Sequence, residues 1–368
     1  MKDVILYGNV RDKSFKAVTE YYFINEGYNI LFYADDNIPS GQKKEAVSFE
    51  GLGVRKICNP DIIKDYPDAL IIIMVSMSYK KIISRLRNQG IRNEIMLAPL
   101  LGWRFIIDDF VPPEKLINDI PDWINNNKSE LLNIYEKDDY YTKDLLNDII
   151  KERSQFTPID YSKYECLSNQ QYFGEEALSP DGGIIFVDGG AYIGDSIEEM
   201  ELTKRKNLIF SIGFEPDADN WKIATKKMVE LGIDNKVKLV NKGMYDKDGI
   251  LRFRKVGDEY SIDKEGDIET DVCRLDGYIS DIDEAFRKSR NRNPQLCIKM
   301  DLEGSEVQAL LGSKDTIGRY HPYMAICLYH RMKDILDVPK TIMGMRDDYK
   351  FYLRAGVHTE MYAVPQIG

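Results

Sequence analysis

VDGGAYIGD, residues 187–195, decides how this chain is read. It begins in the apolar run IIFVD (184–188), passes through paired glycines and enters the helix-type sequence DSIEEM (195–200). An apolar β-run with an acid at its end, a glycine turn and a helix make the strand–turn–helix junction of an α/β sheet. Gly189 and Gly190 let the backbone turn tightly, and Gly190 is expected to leave space for a ligand. Gly194 lets the next helix pack close. Backbone N–H groups and the helix N-terminus then face a polar or anionic molecule. A tight junction needs glycine in any case, so the loop alone leaves ordinary α/β packing open.

Two more strand ends narrow the reading. LIFSIGFEP (208–216) ends in Glu215, where an acid in a nucleoside-binding sheet accepts both ribose hydroxyls. Glu215-Pro216-Asp217 also opens a helix well. Neither feature separates a dinucleotide from S-adenosylmethionine. QLCIKMD (295–301) runs through Asp301 into LEGSE (302–306). Asp301, Glu303 and Glu306 concentrate negative charge at the ligand edge, which suits a sulfonium cation better than a hydride carrier. For Glu306 a solvated or helix-dipole role stays open. KVKLVN (236–241) and YMAICLYH (323–330) are further strands, with helices at 217–231, 304–312 and 333–345. YKFYLRAGVHTEMYAV (349–364) reads as an antiparallel hairpin around Gly356.

Upstream, residues 1–102 read as a smaller Rossmann-like domain. VILYG (4–8), NILFYADD (29–36) and ALIIIMVS (69–76) are its strands; FKAVTEYYFINEG (15–27) and YKKIISRLRNQG (79–90) are helices closed by glycine. LYGNVRDKSF (6–15) lacks the later glycines of a dinucleotide fingerprint. Asp35-Asp36 is therefore expected to be a turn, in a domain that positions an acceptor or mediates dimerisation. Residues 103–164 are polar and helical in period, a connector to a second domain at 165–368.

Composition bounds the rest. At roughly 150 residues per domain, 368 residues make two domains or three. A net charge of −11 lacks the electrostatic footprint of a nucleic-acid binder. Cys58, Cys166, Cys273, Cys297 and Cys327 are scattered, with no C-x-x-C pair, which fits a reducing compartment. MKDVILYGNV (1–10) has no leader-type pattern. The apolar run ALIIIMV (69–75) is far short of the roughly 20 residues that span a bilayer. A cytoplasmic protein is expected.

FVDGGAYIGDS (186–196), GFEPD (213–217), RLDGYI (274–279), IKMDLEGSE (298–306), ICLYH (326–330) and YKFYLR (349–354) together resemble the FkbM-type methyltransferases. The resemblance runs in order over about residues 165–368. It implies a seven-stranded Rossmann-like domain with a terminal antiparallel hairpin. It also implies S-adenosylmethionine-dependent transfer to a hydroxyl of a sugar, glycan or natural-product precursor. In similar proteins QYF, here 171–173, helps cover the cofactor. The expected cofactor contacts are Gln171, Tyr172, Asp188, Gly189, Gly190, Ala191, Gly194, Asp195, Ser196, Glu215, Pro216, Gly243, Met244 and Asp301. One departure stands out: the family places histidine after the Y-x-x-Y-L-R-like strand, whereas Ala355 and Gly356 follow Arg354 here and His358 comes later.

A weakly acidic hydroxyl calls for a positioned base. Of three histidines, His330 ends a strand at the ligand edge and is the expected catalytic base or orienting group, with Asp301 its rival. His321 precedes Pro322 in a loop. A divalent metal on Asp301 and Glu303 is the less favoured arrangement. Residues 250–275 form a hairpin insertion whose Arg252, Arg254, Lys255 and Tyr260 are candidates for a phosphorylated or nucleotide-linked acceptor; an ordinary solvated surface is the competing reading. A homo-oligomer is allowed. Two rival functions remain: a nicotinamide-dependent sugar oxidoreductase using the N-terminal domain, and a non-catalytic nucleoside-binding scaffold.

Overall fold

The computed structural model describes residues 2–8, 13–47, 54–75, 79–98, 113–157, 159, 163–164, 172–173, 178, 180, 182–203, 207–256, 259–262, 268–355 and 358–366. They divide into two compact units, 1–129 with 146–161 and 130–145 with 162–368.

In the first unit β1 (Lys2–Tyr7), β2 (Tyr28–Ala34), β3 (Lys43–Val47), β4 (Val54–Cys58), β5 (Leu70–Ile73) and β6 (Ile95–Leu97) form one sheet in the order β3-β4-β2-β1-β5-β6. Neighbours are parallel except β3, which pairs antiparallel with β4. α1 (Lys13–Asn25) and α2 (Tyr79–Asn88) cross between parallel strands. The strand period of two sorts the core. Val4, Leu6, Ile30 and Ile72 pack with Phe23 of α1, whereas Ile5, Tyr7, Phe32 and Ile71 pack with Leu86 of α2. Because both faces are covered, the inner strands read as continuous apolar runs.

The polar stretch 103–164 forms α3 (Pro113–Ile134) and α4 (Tyr140–Gln155), with 103–112 outside the described residues. Its residues 130–145 belong to the second unit. There Tyr135 bridges Phe351, and Tyr135 Oη donates to the Ile335 carbonyl at 2.6 Å. The Leu353 N–H donates to Thr142 Oγ1 at 3.0 Å, and Arg354 bonds Asp139 at 2.7 Å. These contacts cover an edge strand, which would otherwise expose unpaired backbone groups.

The second unit continues through β7 (Ile184–Gly189), α5 (Asp195–Thr203), β8 (Leu208–Phe214), α6 (Ala218–Glu230) and β9 (Val237–Val240). Next come β10 (Gly243–Met244), β11 (Gly249–Val256), β12 (Glu259–Ile262), β13 (Ile268–Cys273) and α7 (Ile279–Ser289). β14 (Gln295–Met300), α8 (Glu306–Leu311), α9 (Lys314–Tyr320), β15 (Tyr323–Cys327), α10 (Asp334–Met343), β16 (Tyr349–Ala355) and β17 (Thr359–Pro365) complete it. The main sheet has seven strands in the order β16-β17-β15-β14-β7-β8-β9. β17 runs antiparallel to β15 and β16, and the other neighbours are parallel. A separate sheet, β10-β13-β11-β12, interrupts the alternation before β14.

Strand order reverses at β7. The chain proceeds outward through β8 and β9, then returns to place β14 on the other side of β7. At such a switch point the two connections leave in opposite directions, so a crevice opens beyond the strand ends. Gly189 pairs with Met300 there, which brings the glycine loop beside Asp301. Among the described residues no helix is long and apolar enough to cross a membrane. Cys58, Cys273, Cys297 and Cys327 are buried, and Cys166 lies outside the described residues.

Candidate active site

The glycine loop is shaped by its own protein neighbours. Gly190 has φ +75°, and a Cβ there would lie 2.0 Å from the Asp301 carbonyl oxygen. The expectation that Gly190 leaves room for a ligand is thereby corrected: the space is taken by the β14 end. Gly194, at φ +76°, faces Met228 and Ala224 of α6, where a side chain would meet Met228 at 2.8 Å. Ala191 is fully buried, while Asp195 is exposed at the start of α5 and accepts the Ser196 N–H at 3.0 Å.

Asp188 ends β7 wholly buried, with Lys299 Nζ 3.1 Å from Oδ1. Burial pushes its carboxyl up to about 6 although the Lys299 charge opposes the rise. Burial likewise disfavours the Lys299 ammonium, but Asp188 and Asp301 hold it protonated above its ordinary range. The same ammonium donates to the Gly190 carbonyl at 2.7 Å and lies over the Tyr172 ring, 5.3 Å from its centroid. Lys299 thus links the strand end, the loop and the QYF segment.

Glu215 is 6% exposed at the end of β8. Its Oε2 accepts the Tyr192 N–H and its Oε1 the Asp217 N–H, both at 2.8 Å. Burial raises its carboxyl to about 7 despite these donors. Each oxygen retains a second lone pair, so an anchored carboxylate can still accept two hydroxyls. Asn241 Nδ2 steadies the segment by donating to the carbonyls of Glu215 at 2.9 Å and Pro216 at 3.1 Å. Gly243 lies against this corner, since a Cβ on it would be 3.8 Å from Pro216 Cβ. Met244 is buried next to Gly189, where a Cβ would meet its sulfur at 2.8 Å.

On the other side of the switch point, Glu303 (φ +50°) and Gly304 (φ +87°) turn the chain sharply between β14 and α8. That turn brings Asp301, Glu303 and Glu306 around His330. His330 is fully buried; its Nδ1 lies 2.9 Å from Glu306 Oε1, and its Nε2 lies 3.4 Å from Asp301 Oδ1 and 3.3 Å from Glu303 Oε2. Glu306, also fully buried, accepts the Leu302 N–H at 2.8 Å, which settles its solvated reading against it. Burial alone would lower the imidazole's pKa, yet Glu306, Glu303 and Asp301 hold it well above the usual histidine range. Asp301 accepts Tyr329 Oη at 2.8 Å and Tyr172 Oη at 3.2 Å. Burial works against its charge, but Lys299 and His330 keep its carboxyl down at about 2. Asp334, beside Glu306 and buried, is pushed up to about 8. One ligand atom each from Asp301, Glu306 and His330 lies within 4.8 Å of the others.

His330 and Asp301 are therefore together at the strand ends. The three carboxylates around the ring favour its protonated form, which counts against His330 as the base. His358 stacks on Tyr329 at 4.0 Å between centroids and adds to the field that ionises Asp301. His321 ends α9 at φ +46°, 3.9 Å from Asp348 and outside this cluster. Arg252 pairs with Glu269 at 2.9 Å, both more than half exposed, as on a solvated β-surface. Gln171, Gly356 and the side chains of Arg254, Lys255 and Tyr260 lie outside the described residues. Lys299, Tyr329 and Asn241 were not singled out from the sequence. For Lys299 a signal existed: a lone cation inside the apolar strand QLCIKM (295–300) needs a buried countercharge.

Residues 188–349 match the family model described as the methyltransferase FkbM domain. No curated protein matches the chain. Among solved structures, methyltransferase FkbM from Methylobacillus flagellatus KT is similar at 20% identity and a TM-score of 0.63, over 98% of this chain and 90% of that one. An SAH-bound methyltransferase from Podospora anserina, PaMTH1, aligns at 8% identity and a TM-score of 0.30, over 67% and 96%. The first of these likenesses extends the shared fold to nearly the whole chain. The stretch that matches the FkbM methyltransferase domain, residues 188–349, holds the glycine loop, Glu215 and the Asp301–His330 cluster.

Proposed function

We propose that this chain is an S-adenosylmethionine-dependent O-methyltransferase acting on a hydroxyl of a sugar, glycan or natural-product precursor. The observation that carries the reading is the pair of strand ends that flank the reversal of strand order at β7. Glu215, anchored by two backbone N–H groups, stands at one end, and Asp301 with His330 at the other.

Glu215 fits a ribose, because its carboxylate is fixed and still has acceptor capacity. The loop 189–194 and Tyr192 would hold the rest of the nucleoside, and Asp301 faces the sulfonium side. When bound, S-adenosylmethionine supplies an electrophilic methyl group on a cationic sulfur. Asp301, part-exposed and backed by His330, would hold the acceptor hydroxyl in line with that methyl, and such positioning can supply much of the rate. As the new C–O bond forms, the hydroxyl proton becomes strongly acidic. A carboxylate oxygen of Asp301, although a weak base, can then take it. His330, fully buried behind Asp301, helps keep that carboxylate ionised and does not remove the proton. The acceptor leaves as an ether and the thioether leaves neutral, so charge balances through the proton on Asp301.

The test is turnover of methyl-labelled S-adenosylmethionine by the full chain with free, phosphorylated and nucleotide-linked sugars. The expected product is a methyl ether at one hydroxyl together with S-adenosylhomocysteine. Methyl found on nitrogen or carbon, or a cofactor neither bound nor consumed, overturns the reading.

A further inference from the structure

We infer that His330, Asp301 and Glu303 form a site for one divalent cation, with Glu306 fixing the imidazole from behind. The inference rests on the placement of the acceptor crevice proposed above. It adds a component to that site which the methyl-transfer reading does not require.

The first observation is an orphaned atom. His330 Nε2 is fully buried and, among the described residues, makes no hydrogen bond, although it faces two carboxylates. Its distances to Asp301 Oδ1 and Glu303 Oε2 are 3.4 and 3.3 Å. Groups sharing one small cation at bonds of about 2.1 Å sit about 3.0–3.4 Å apart. Each carboxylate oxygen therefore stands from Nε2 at the spacing of a neighbour on an ion, and an ion bound there takes the place of the Nε2 proton.

The second observation concerns the other ring nitrogen. Nδ1 is 2.9 Å from Glu306 Oε1, and Glu306 is itself held by the Leu302 N–H at 2.8 Å. A histidine that binds metal through one nitrogen characteristically gives its other N–H to a carboxylate, which sets the tautomer and the ring plane. Here that carboxylate is wholly buried and its own second oxygen has no hydrogen bond among the described residues. Asp301 is steadied in the same way, by the phenol groups of Tyr329 and Tyr172. His330 and Asp301 are thus pre-oriented by hydrogen bonds to neighbouring side chains.

One imidazole and two carboxylates with open positions suit an ion that prefers oxygen but accepts nitrogen, and Mn²⁺ is the probe that matches best. An ion there would place positive charge where the acceptor oxygen loses its proton.

The test uses the full chain after chelator treatment, titrated with MnCl₂ and followed by loss of the free-ion electron paramagnetic resonance signal. One ion per chain is expected, saturating below about 1 mM. Pulsed measurements should show coupling to a single imidazole nitrogen, absent in His330→Gln. Glu306→Gln should weaken binding about 10–100-fold, the usual effect of losing such a partner. Glu303→Gln should weaken it at least as much, and that side chain is 41% exposed, so the fold is retained. No saturable Mn²⁺ binding, or binding unchanged in Glu303→Gln and His330→Gln, overturns the site. Titrating S-adenosylhomocysteine into the same samples separates the two claims. Nucleoside binding without Mn²⁺ rejects the ion and spares the methyltransferase reading; Mn²⁺ binding without the nucleoside does the reverse.

Discussion

Each unit of the chain carries a parallel sheet with crossover helices and an acid beyond its central strands, yet the two strand ends are put to different use. In the first, Asp36 accepts Tyr7 Oη at 2.9 Å and pairs with Arg85 at 2.5 Å. Arg85 also donates to Tyr7 Oη at 2.5 Å, so acid, phenol and guanidinium satisfy one another. In the second, Asp188 is matched by Lys299, but Asp301, Glu303 and Glu306 share a single histidine and leave charge directed at the crevice. Similar architecture therefore says little about where chemistry happens; unspent polar groups say more. This contrast also weakens the oxidoreductase alternative, which needs the first strand-end acid to be available for a cofactor.

The largest expected effect separates the two acids. Asp301→Asn should lower methyl-transfer turnover by about 10²–10⁴-fold, the range for losing a positioned proton acceptor. Asp36→Asn should leave turnover within about twofold. Equal losses in steady-state assays would break the contrast. His330→Ala belongs with Asp301→Asn, losing turnover while keeping cofactor affinity; full activity across the pH range would remove His330 from the mechanism.

Next comes a pair of glycines. Gly27 and Gly190 have φ +78° and +75°, but a Cβ at Gly27 meets nothing, whereas one at Gly190 meets backbone at 2.0 Å. Gly27→Ala should cost about 1 kcal/mol for conformation alone. Gly190→Ala should cost a further 1–3 kcal/mol or so from overlap, and should displace Asp301. Denaturant midpoints that move equally would show that the loop yields more easily than the geometry implies.

These two levels also mark what could be read in advance. The glycine loop, Glu215, Asp301 and His330 were legible because apolar parallel strands are continuous runs and their ends are punctuated by acids. β3 and β4 were missed for the opposite reason: KKEAV is the edge strand and VRKIC the next one in, where charged residues are tolerated and no apolar run forms. α9 (KDTIGRY) is too short and glycine-containing to show a helical period. The state of His330 was illegible too, because the charge on an imidazole depends on carboxylates that only the turn at 303–304 gathers around it.

A smaller effect tests Glu215. Glu215→Ala should weaken S-adenosylmethionine binding by about 1–3 kcal/mol, as for a lost charge-assisted hydrogen bond. With its carboxyl raised to about 7, wild-type affinity should fall as pH drops below that value, approaching tenfold per unit. Folding stability should move the other way. A carboxyl raised from 4.5 to about 7 gives stability that is present below the lower value and lost as pH rises to the upper. A flat binding profile between these values would place the ribose elsewhere. Smallest of all, Arg85→Ala should cost only about 0.2–1 kcal/mol, since both partners of its pair are nearly half exposed.

The central claim is that the crevice of the second unit, and not that of the first, binds the nucleoside. Calorimetric titration of the full chain with S-adenosylmethionine and, separately, NADH tests it most directly. The account predicts one S-adenosylmethionine per chain, weakened by Glu215→Ala and unaffected by Asp36→Asn, with no heat from NADH. Binding of NADH that Asp36→Asn abolishes, or S-adenosylmethionine binding indifferent to Glu215→Ala, would contradict it.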